Sequence, residues 1–170
     1  MNIDGGVLSV SATANDGSEV NMRGGTVESL FVTPGSVINI SGGTVNSLIA
    51  LDRSVTNISG GVIDEGLDAE SGSEVNLFGT EFLIDGVPLE GLLLGVPMVV
   101  ADRDMGVPGR LALSGTLADG TPFDFTLDGD FRRFQDDFFS PNATLTVTLV
   151  PEPAAFSLSL FVLTAARRRC

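Results

Sequence analysis

The chain has 170 residues, of which 43% are hydrophobic, and this is enough apolar material for the core of one or two small domains. Acidic residues outnumber basic ones by 22 to 9, which gives a net charge of −13 and argues against nucleic acid as a partner. The sequence has no His, Tyr, Trp or Lys, and its one Cys is the last residue. These absences exclude internal disulfides and the serine, cysteine and zinc chemistries that need an imidazole.

Carboxylates, Arg and hydroxyl groups are the side chains left for catalysis. They leave two enzyme classes open, a glycosidase with a carboxylate pair and a lyase that uses Arg and Ca²⁺. The sequence carries no signature of either class. We therefore expect no catalytic residue and no enzymatic activity.

One short phrase recurs along residues 1–84. Each copy begins with Asn, continues with an apolar and a variable residue, and ends in Gly-Gly or a single Gly. Successive copies, counted from Asn2, start 18 or 19 residues apart, and a period near 20 is typical of solenoids. The repeat residues are Asn21, Gly24, Gly25, Asn39, Gly42, Gly43, Asn57, Gly60, Gly61, Asn76 and Gly79.

The residues around each Asn alternate as a strand does. Ile38 and Ile40 point to one side and Asn39 to the other, a Ser such as Ser36 marks the turn before the strand, and the Gly pair supplies a sharp corner. The sequence therefore predicts an all-β fold, a parallel β-solenoid of about 18-residue turns whose equivalent strands lie about 4.8 Å apart. Stacked Asn amides would bond along the column. The alternative is a polar stripe that faces a ligand.

Over residues 1–84 the period and the Gly-Gly corners resemble the parallel β-helix repeats of bacterial surface and autotransporter-type proteins. The resemblance implies a right-handed coil. It does not extend to the calcium-binding nonapeptide repeats of secreted toxins, because the Gly pair lacks their Gly-x-Asp continuation. Met1 occupies an apolar position inside a repeat, so we expect further turns and a signal peptide upstream.

Residues 85–150 lose the period and predict a small antiparallel β-rich cap. Four runs have strand character, at residues 97–101, 110–117, 122–127 and 143–150. Ala118, Asp119 and Gly120 join the middle two as a hairpin. Between the last two strands, aromatic residues at helical spacing follow Asp130 and predict a short helix whose rings fill the core. These aromatic residues are Phe131, Phe134, Phe138 and Phe139.

Two groups of acidic residues are candidates for Ca²⁺ through hard oxygen ligands. Neither has the spacing of an EF-hand loop, so solvated acidic loops are the favoured interpretation and a catalytic carboxylate pair is the remaining one. We expect no cofactor, with Ca²⁺ as the possible exception. The two groups are Asp64, Glu65, Asp68 and Glu70, and Asp128, Asp130, Asp136 and Asp137.

The last twenty residues, 151–170, form a distinct tail. Val150 is followed by Pro151, Glu152 and Pro153, then by an apolar run over residues 154–166, and then by Arg167, Arg168, Arg169 and Cys170. As a hydrophobic helix, the run would span about 20 Å, which is short of the hydrocarbon core of about 30 Å unless the Arg side chains lengthen it. The positive-inside rule would place the Arg triplet in the cytoplasm and export the acidic body.

These three parts, in this order, resemble the PEP-CTERM protein-sorting signal. The resemblance implies that a membrane-embedded exosortase recognises the tail and processes it near residues 151–153. It also implies anchoring in the inner membrane before processing, and delivery to the surface or extracellular polymeric matrix of a Gram-negative-type bacterium that makes exopolysaccharide. A plain tail anchor and an ordinary core helix are the alternatives.

Together these features predict a non-enzymatic, exported structural or adhesive protein of the cell surface or extracellular matrix. The alternative is a carbohydrate-binding or carbohydrate-active β-helix protein whose polar face meets exopolysaccharide. An exosortase-type enzyme, the inner membrane and exopolysaccharide are the expected partners.

Overall fold

The computed structural model describes residues 1–8, 11–100, 111–128 and 137–152. These residues are all-β, with twelve strands in one sheet and no helix. The strands are β1 (Asn2–Leu8), β2 (Ala12–Ala14), β3 (Glu19–Val32), β4 (Val37–Ala50), β5 (Val55–Ala69), β6 (Glu74–Ile84), β7 (Val87–Pro88), β8 (Pro97–Val99), β9 (Leu111–Leu117), β10 (Pro122–Leu127), β11 (Phe138–Phe139) and β12 (Thr144–Leu149).

The strands β1, β3, β4, β5 and β6 stack in parallel in chain order. Equivalent residues of successive repeats are direct partners: Asn21 pairs with Asn39, Asn39 with Asn57 and Asn57 with Asn76. The prediction of an all-β parallel β-solenoid is thereby confirmed, with about four turns. Each of β3, β4 and β5 bends at its glycine corner, so one long strand supplies two sides of a turn.

The core of the coil is a set of apolar columns that run along its axis. In β4 the inward side chains are Ile38, Ile40, Val45, Leu48 and Ala50, all at most 1% exposed. The same positions are buried and apolar in β3, and in β5 all but Thr56 and the half-buried Ile63 follow the pattern. A buried Leu or Ile contributes about 1.5–3 kcal/mol, so these columns carry most of the stability of the coil.

The second glycine of each pair is required by its backbone and by its neighbour. Gly43 has a φ of +93°, which L side chains rarely adopt. A Cβ built on Gly43 would lie 2.7 Å from the carbonyl oxygen of Gly25 and 2.7 Å from the Met22 methyl group. Because the turns stack this closely at the corner, no larger residue fits there.

At the opposite corner, three successive turns are tight turns closed by a buried serine. The hydroxyl groups of Ser36, Ser54 and Ser73 donate to main-chain carbonyls three residues earlier, at 2.5–2.6 Å. Because each hydroxyl has a main-chain partner within its own turn, the serine side chain can be buried without an unpaired polar group.

Beyond β6 the coil is closed by an antiparallel hairpin. The strands β9 and β10 pair antiparallel, with Leu113 opposite Phe125, and the loop at Ala118, Asp119 and Gly120 joins them as predicted. The strand β9 also pairs antiparallel with the second half of β6. Phe82, Phe123, Phe125 and Phe139 then form a continuous line of rings, with centroids 5.3–6.3 Å apart.

After the hairpin, the chain returns to the solenoid and adds parallel strands to it. The prediction of an antiparallel cap does not include this return. The strand β12 pairs in parallel with β6, with Thr146 beside Asn76. The strand β11 pairs in parallel with the end of β5. The helix prediction is wrong for Phe138 and Phe139, because they form β11 on the free edge of β5; Phe131 and Phe134 lie outside the described residues.

The outermost strand at this end is β8, which pairs antiparallel with β12. It ends at Val99, two residues before the end of the predicted run, and Ala101 lies outside the described residues. The tail from Pro153 onward, with the predicted hydrophobic helix, also lies outside them.

Candidate functional site

The asparagine column forms a continuous hydrogen-bonded ladder on the outer side of the coil. The side-chain amide of Asn39 donates to the Asn21 Oδ1 at 2.8 Å, that of Asn57 to Asn39 at 2.8 Å, and that of Asn76 to Asn57 at 3.0 Å. The bond from Asn21 to Asn2 is longer, at 3.4 Å. The ladder therefore joins every turn from the first to β6.

The amide groups of this ladder are largely committed to bonds within the protein. The Asn39 amide also donates to Glu19 at 2.9 Å, and that of Asn76 also donates to Glu74 at 2.8 Å. The Thr146 hydroxyl of β12 donates to the Asn76 Oδ1 and ends the ladder. An amide has two hydrogens to donate, so Asn39 and Asn76 have none left for a ligand.

The first carboxylate group consists of three acidic residues of β5 and Glu70, which follows the strand. Asp64 and Glu65 are exposed, whereas Asp68 is half-buried. Burial raises the pKa of the Asp68 carboxyl above its ordinary value of 3.8, and the negative charges of Glu70 and Asp137 raise it further. The structure thus brings Asp137, from the second acidic group, close to the first.

Asp137 has a structural task within this arrangement. One of its carboxylate oxygens accepts from the Leu67 amide at 2.8 Å and the other from the Thr126 amide at 2.7 Å. It therefore ties β10 to β5. Asp130 and Asp136 lie outside the described residues.

The described residues contain no cluster of three or more acidic or Cys side chains that could hold a metal ion. Ca²⁺ binding by the two acidic groups remains a prediction. The Asp137 carboxylate is directed at main-chain amides, which is a role in folding.

The contact between Asp119 and the glycine corner of β5 was not predicted from the sequence. The hairpin tip reaches the glycine corner of β5, where the Asp119 carboxylate accepts from the Gly61 amide at 2.9 Å and its own amide donates to the Ser59 carbonyl at 3.1 Å. The carboxylate also accepts from the Thr121 amide and hydroxyl, at 2.8 and 2.9 Å. The turn residues predict the hairpin, but nothing local predicts which corner its tip covers.

The glycines of the later repeats lie beneath the same hairpin. A Cβ on Gly60 would collide with the Asp119 side chain, and one on Gly79 with the Thr116 carbonyl. By contrast, Gly24 and Gly42 lie against the turn before them, on the carbonyls of Asp4 and Arg23. The repeat glycines therefore allow close packing of the preceding turn in the early repeats and of the hairpin in the later ones.

The predicted sorting motif begins where the last rung of the sheet ends. The Val150 amide donates to the Gly79 carbonyl at 2.8 Å, and this is the last main-chain bond of the described chain. Pro151 and Glu152 follow directly and are exposed. Pro153, Arg167, Arg168 and Arg169 lie outside the described residues, and within the described ranges no helix is long and apolar enough to cross a membrane.

Comparisons with protein-family models, with curated proteins and with solved structures each return no match to this chain.

Proposed function

We propose that this protein is a non-enzymatic, exported structural protein of the bacterial surface or extracellular matrix. In this proposal a right-handed solenoid supplies a rigid acidic column. A PEP-CTERM-like tail, helical over its apolar run, holds the column at the inner membrane until an exosortase-type enzyme processes it.

The position of Glu152 carries the proposal. The last main-chain bond of the described residues is made by the Val150 amide, Pro151 and Glu152 are exposed, and the prolines on either side of Glu152 favour an extended backbone. A processing enzyme can therefore reach Glu152 without breaking a main-chain bond of the sheet. The apolar run and the Arg triplet follow within the same twenty residues.

The structural role of the body is supported by the use of its polar groups. The Asn amides bond from one turn to the next, and the hydroxyls of Ser36, Ser54 and Ser73 bond the main chain within their own turn, so both sets of polar groups serve the fold. The 22 acidic residues favour solubility outside the cell.

The experiment uses the full chain in an exopolysaccharide-producing Gram-negative host, with and without its exosortase. We expect the mature protein to end near Pro151, Glu152 and Pro153 and to be recovered from the surface or matrix, as measured by mass spectrometry of the C-terminal peptide. In the strain without exosortase the intact chain, ending at Cys170, should stay in the membrane fraction. A replacement of Glu152 by Ala should also block processing, with Glu90→Ala as the matched control.

Intact Cys170 on protein from the surface of both strains would contradict processing and favour the plain tail anchor. Carbohydrate binding is tested separately, because the alternative function places a polysaccharide along the polar face of the coil. Binding of the purified protein to the host exopolysaccharide, or release of reducing ends from it, would favour the carbohydrate-directed alternative.

A further inference from the structure

The segment before and within β8 carries an exposed apolar patch, defined as Leu93, Leu94, Val96 and Val99. The exposed fractions of these side chains are 65%, 61%, 50% and 56%. No charged residue occurs between positions 91 and 100. A group of large exposed apolar side chains this close in the sequence indicates a surface that contacts a protein, a membrane or a ligand.

The patch is attached firmly to the end of the fold. Leu94 forms a parallel bridge with Leu149, and the Gly95 amide donates to the Leu149 carbonyl at 2.8 Å. Val99 pairs with Thr146 in β12, while the neighbouring Met98 packs against the core. The exposed side chains are therefore held outward by a strand and a bridge.

The apolar run of the tail follows a few residues after Leu149, the bridge partner of Leu94. Residue 154, the first of the apolar run, is five residues after Leu149. An extended chain advances at most about 3.6 Å per residue, so the run starts within about 18 Å of the Leu94 bridge. The body has no long tether between its last rung and the tail.

The tail is also too short to hold the body at a distance. Thirteen apolar residues in a helix cover about 20 Å of a hydrocarbon core of about 30 Å. If this run enters the hydrocarbon core as a helix, the residues just before it must lie at the level of the lipid headgroups. The face of the body beside Leu149 is then the face turned to the bilayer, and it carries the patch.

We propose that the apolar patch rests in the interfacial region of the membrane and seats the column on the bilayer while the tail is in place. This rests on the proposed function, in which the tail is a membrane segment. The partner is the apolar boundary of uncharged lipid, because residues 1–153 hold 22 acidic residues and six Arg, a net charge of −16, which repels anionic headgroups. Leu93 and Leu94, between turns that need positive φ at Gly91 and Gly95, are the side chains that enter the lipid.

The chain has no Trp, so a single introduced Trp reports its own surroundings. The experiment places the full chain with Leu94→Trp in phosphatidylcholine vesicles, with and without brominated acyl chains. We expect blue-shifted emission that bromine quenches. The matched control is Val7→Trp, 74% exposed on β1 at the other end of the sheet, which should keep the emission of a solvated indole in both lipids.

Val96→Trp is the second probe, and melting curves show whether each variant folds as the parent does. Flotation with the vesicles but no quenching of Trp at 94 or 96 would overturn the patch proposal and leave the tail anchor intact. Failure of the full chain to float would overturn the membrane step of the proposed function and this proposal with it. A blue-shifted Trp without lipid would mean that a second copy or another part of this chain covers the patch, and would also overturn it.

Discussion

The first turn of the column and its middle turns differ in what lies next to the same repeat position. Gly6 and Gly43 occupy the same corner position with φ values of +89° and +93°. A Cβ on Gly43 meets the turn before it, whereas one on Gly6 meets nothing within 4 Å. Core positions show the same contrast, since Val45 is fully buried and Leu8, its equivalent in the first turn, is 37% exposed. The same repeat position therefore has a different energetic weight in the first turn and in a middle turn.

The C-terminal end is closed by residues outside the repeat. Asp119 covers the Gly61 amide, Thr146 ends the Asn ladder and Ala143 takes the place of the turn serine beside Ser73. In the middle turns, the polar groups bond equivalent residues of the neighbouring repeats. In the closing turn, they bond side chains that do not belong to the repeat. Substitutions that separate these two situations test the comparison.

The largest effect is expected at the glycine corner. Gly43→Ala should destabilise the fold by about 3 kcal/mol or more, because the new methyl group adds a main-chain clash to a strained φ. Gly6→Ala adds the same methyl group in the same conformation without a neighbour and should cost about 1 kcal/mol. Urea unfolding of both variants measures the difference. Equal losses would show that conformation alone requires the glycine.

The next effect is expected at the hairpin tip. Asp119→Ala leaves the buried Gly61 amide without its acceptor, and we expect a loss of about 1–3 kcal/mol in the free energy of unfolding. Hydrogen exchange at the Gly61 amide should rise in parallel. Asp124→Ala removes an exposed charge from the same hairpin and is the control. An equally stable Asp119→Ala variant would mean that the hairpin does not hold this corner.

A smaller gain is expected inside the coil. Thr56 is fully buried between Ile38 and Val75, and its hydroxyl has no hydrogen-bond partner. Thr56→Val replaces that hydroxyl by a methyl group and should stabilise the protein by about 1 kcal/mol. The melting temperature checks this. A lower melting temperature would show that the hydroxyl is satisfied after all.

The smallest effect is expected at Asp68 and depends on pH. Because its folded pKa is raised, the stability that protonated Asp68 contributes is fully present below its ordinary pKa of 3.8 and is lost as the pH rises through the folded pKa. Asp68→Asn should therefore stabilise the protein at pH 7 by less than about 1 kcal/mol, since the group is half exposed, and the gain should vanish near pH 3. Asp64→Asn removes a charge from an exposed position of the same strand and is the control. A gain of equal size at both sites would assign it to net charge.

The middle of the fold could be predicted because its signal is repeated. Asn21, Asn39 and Asn57 each mark the same position, and a strand whose neighbour has the same sequence has only one good register. The hairpin could also be predicted from the sequence, because turn residues flanked by alternating apolar positions define it locally.

The closing turn could not be predicted from its own sequence. Thr146 meets Asn76 across 70 residues of chain, and β12 has neither the Asn nor the Gly pair of the repeat. Its alternation of Thr with apolar residues, with Thr144 and Thr146 in outward positions, is the one signal that could have shown that it resumes the coil. Phe138 and Phe139 followed a helical spacing but pair with β5, because an open strand edge outweighs local spacing.

The central claim is that the asparagine ladder holds the turns of the coil together. Unfolding of the full chain with Asn57→Ala tests it most directly, because this amide donates to Asn39 and accepts from Asn76 in the middle of the ladder. The account predicts a loss of about 1–3 kcal/mol, and a much smaller loss for Asn2→Ala at the weakly bonded end. An unchanged free energy of unfolding for Asn57→Ala would contradict the claim.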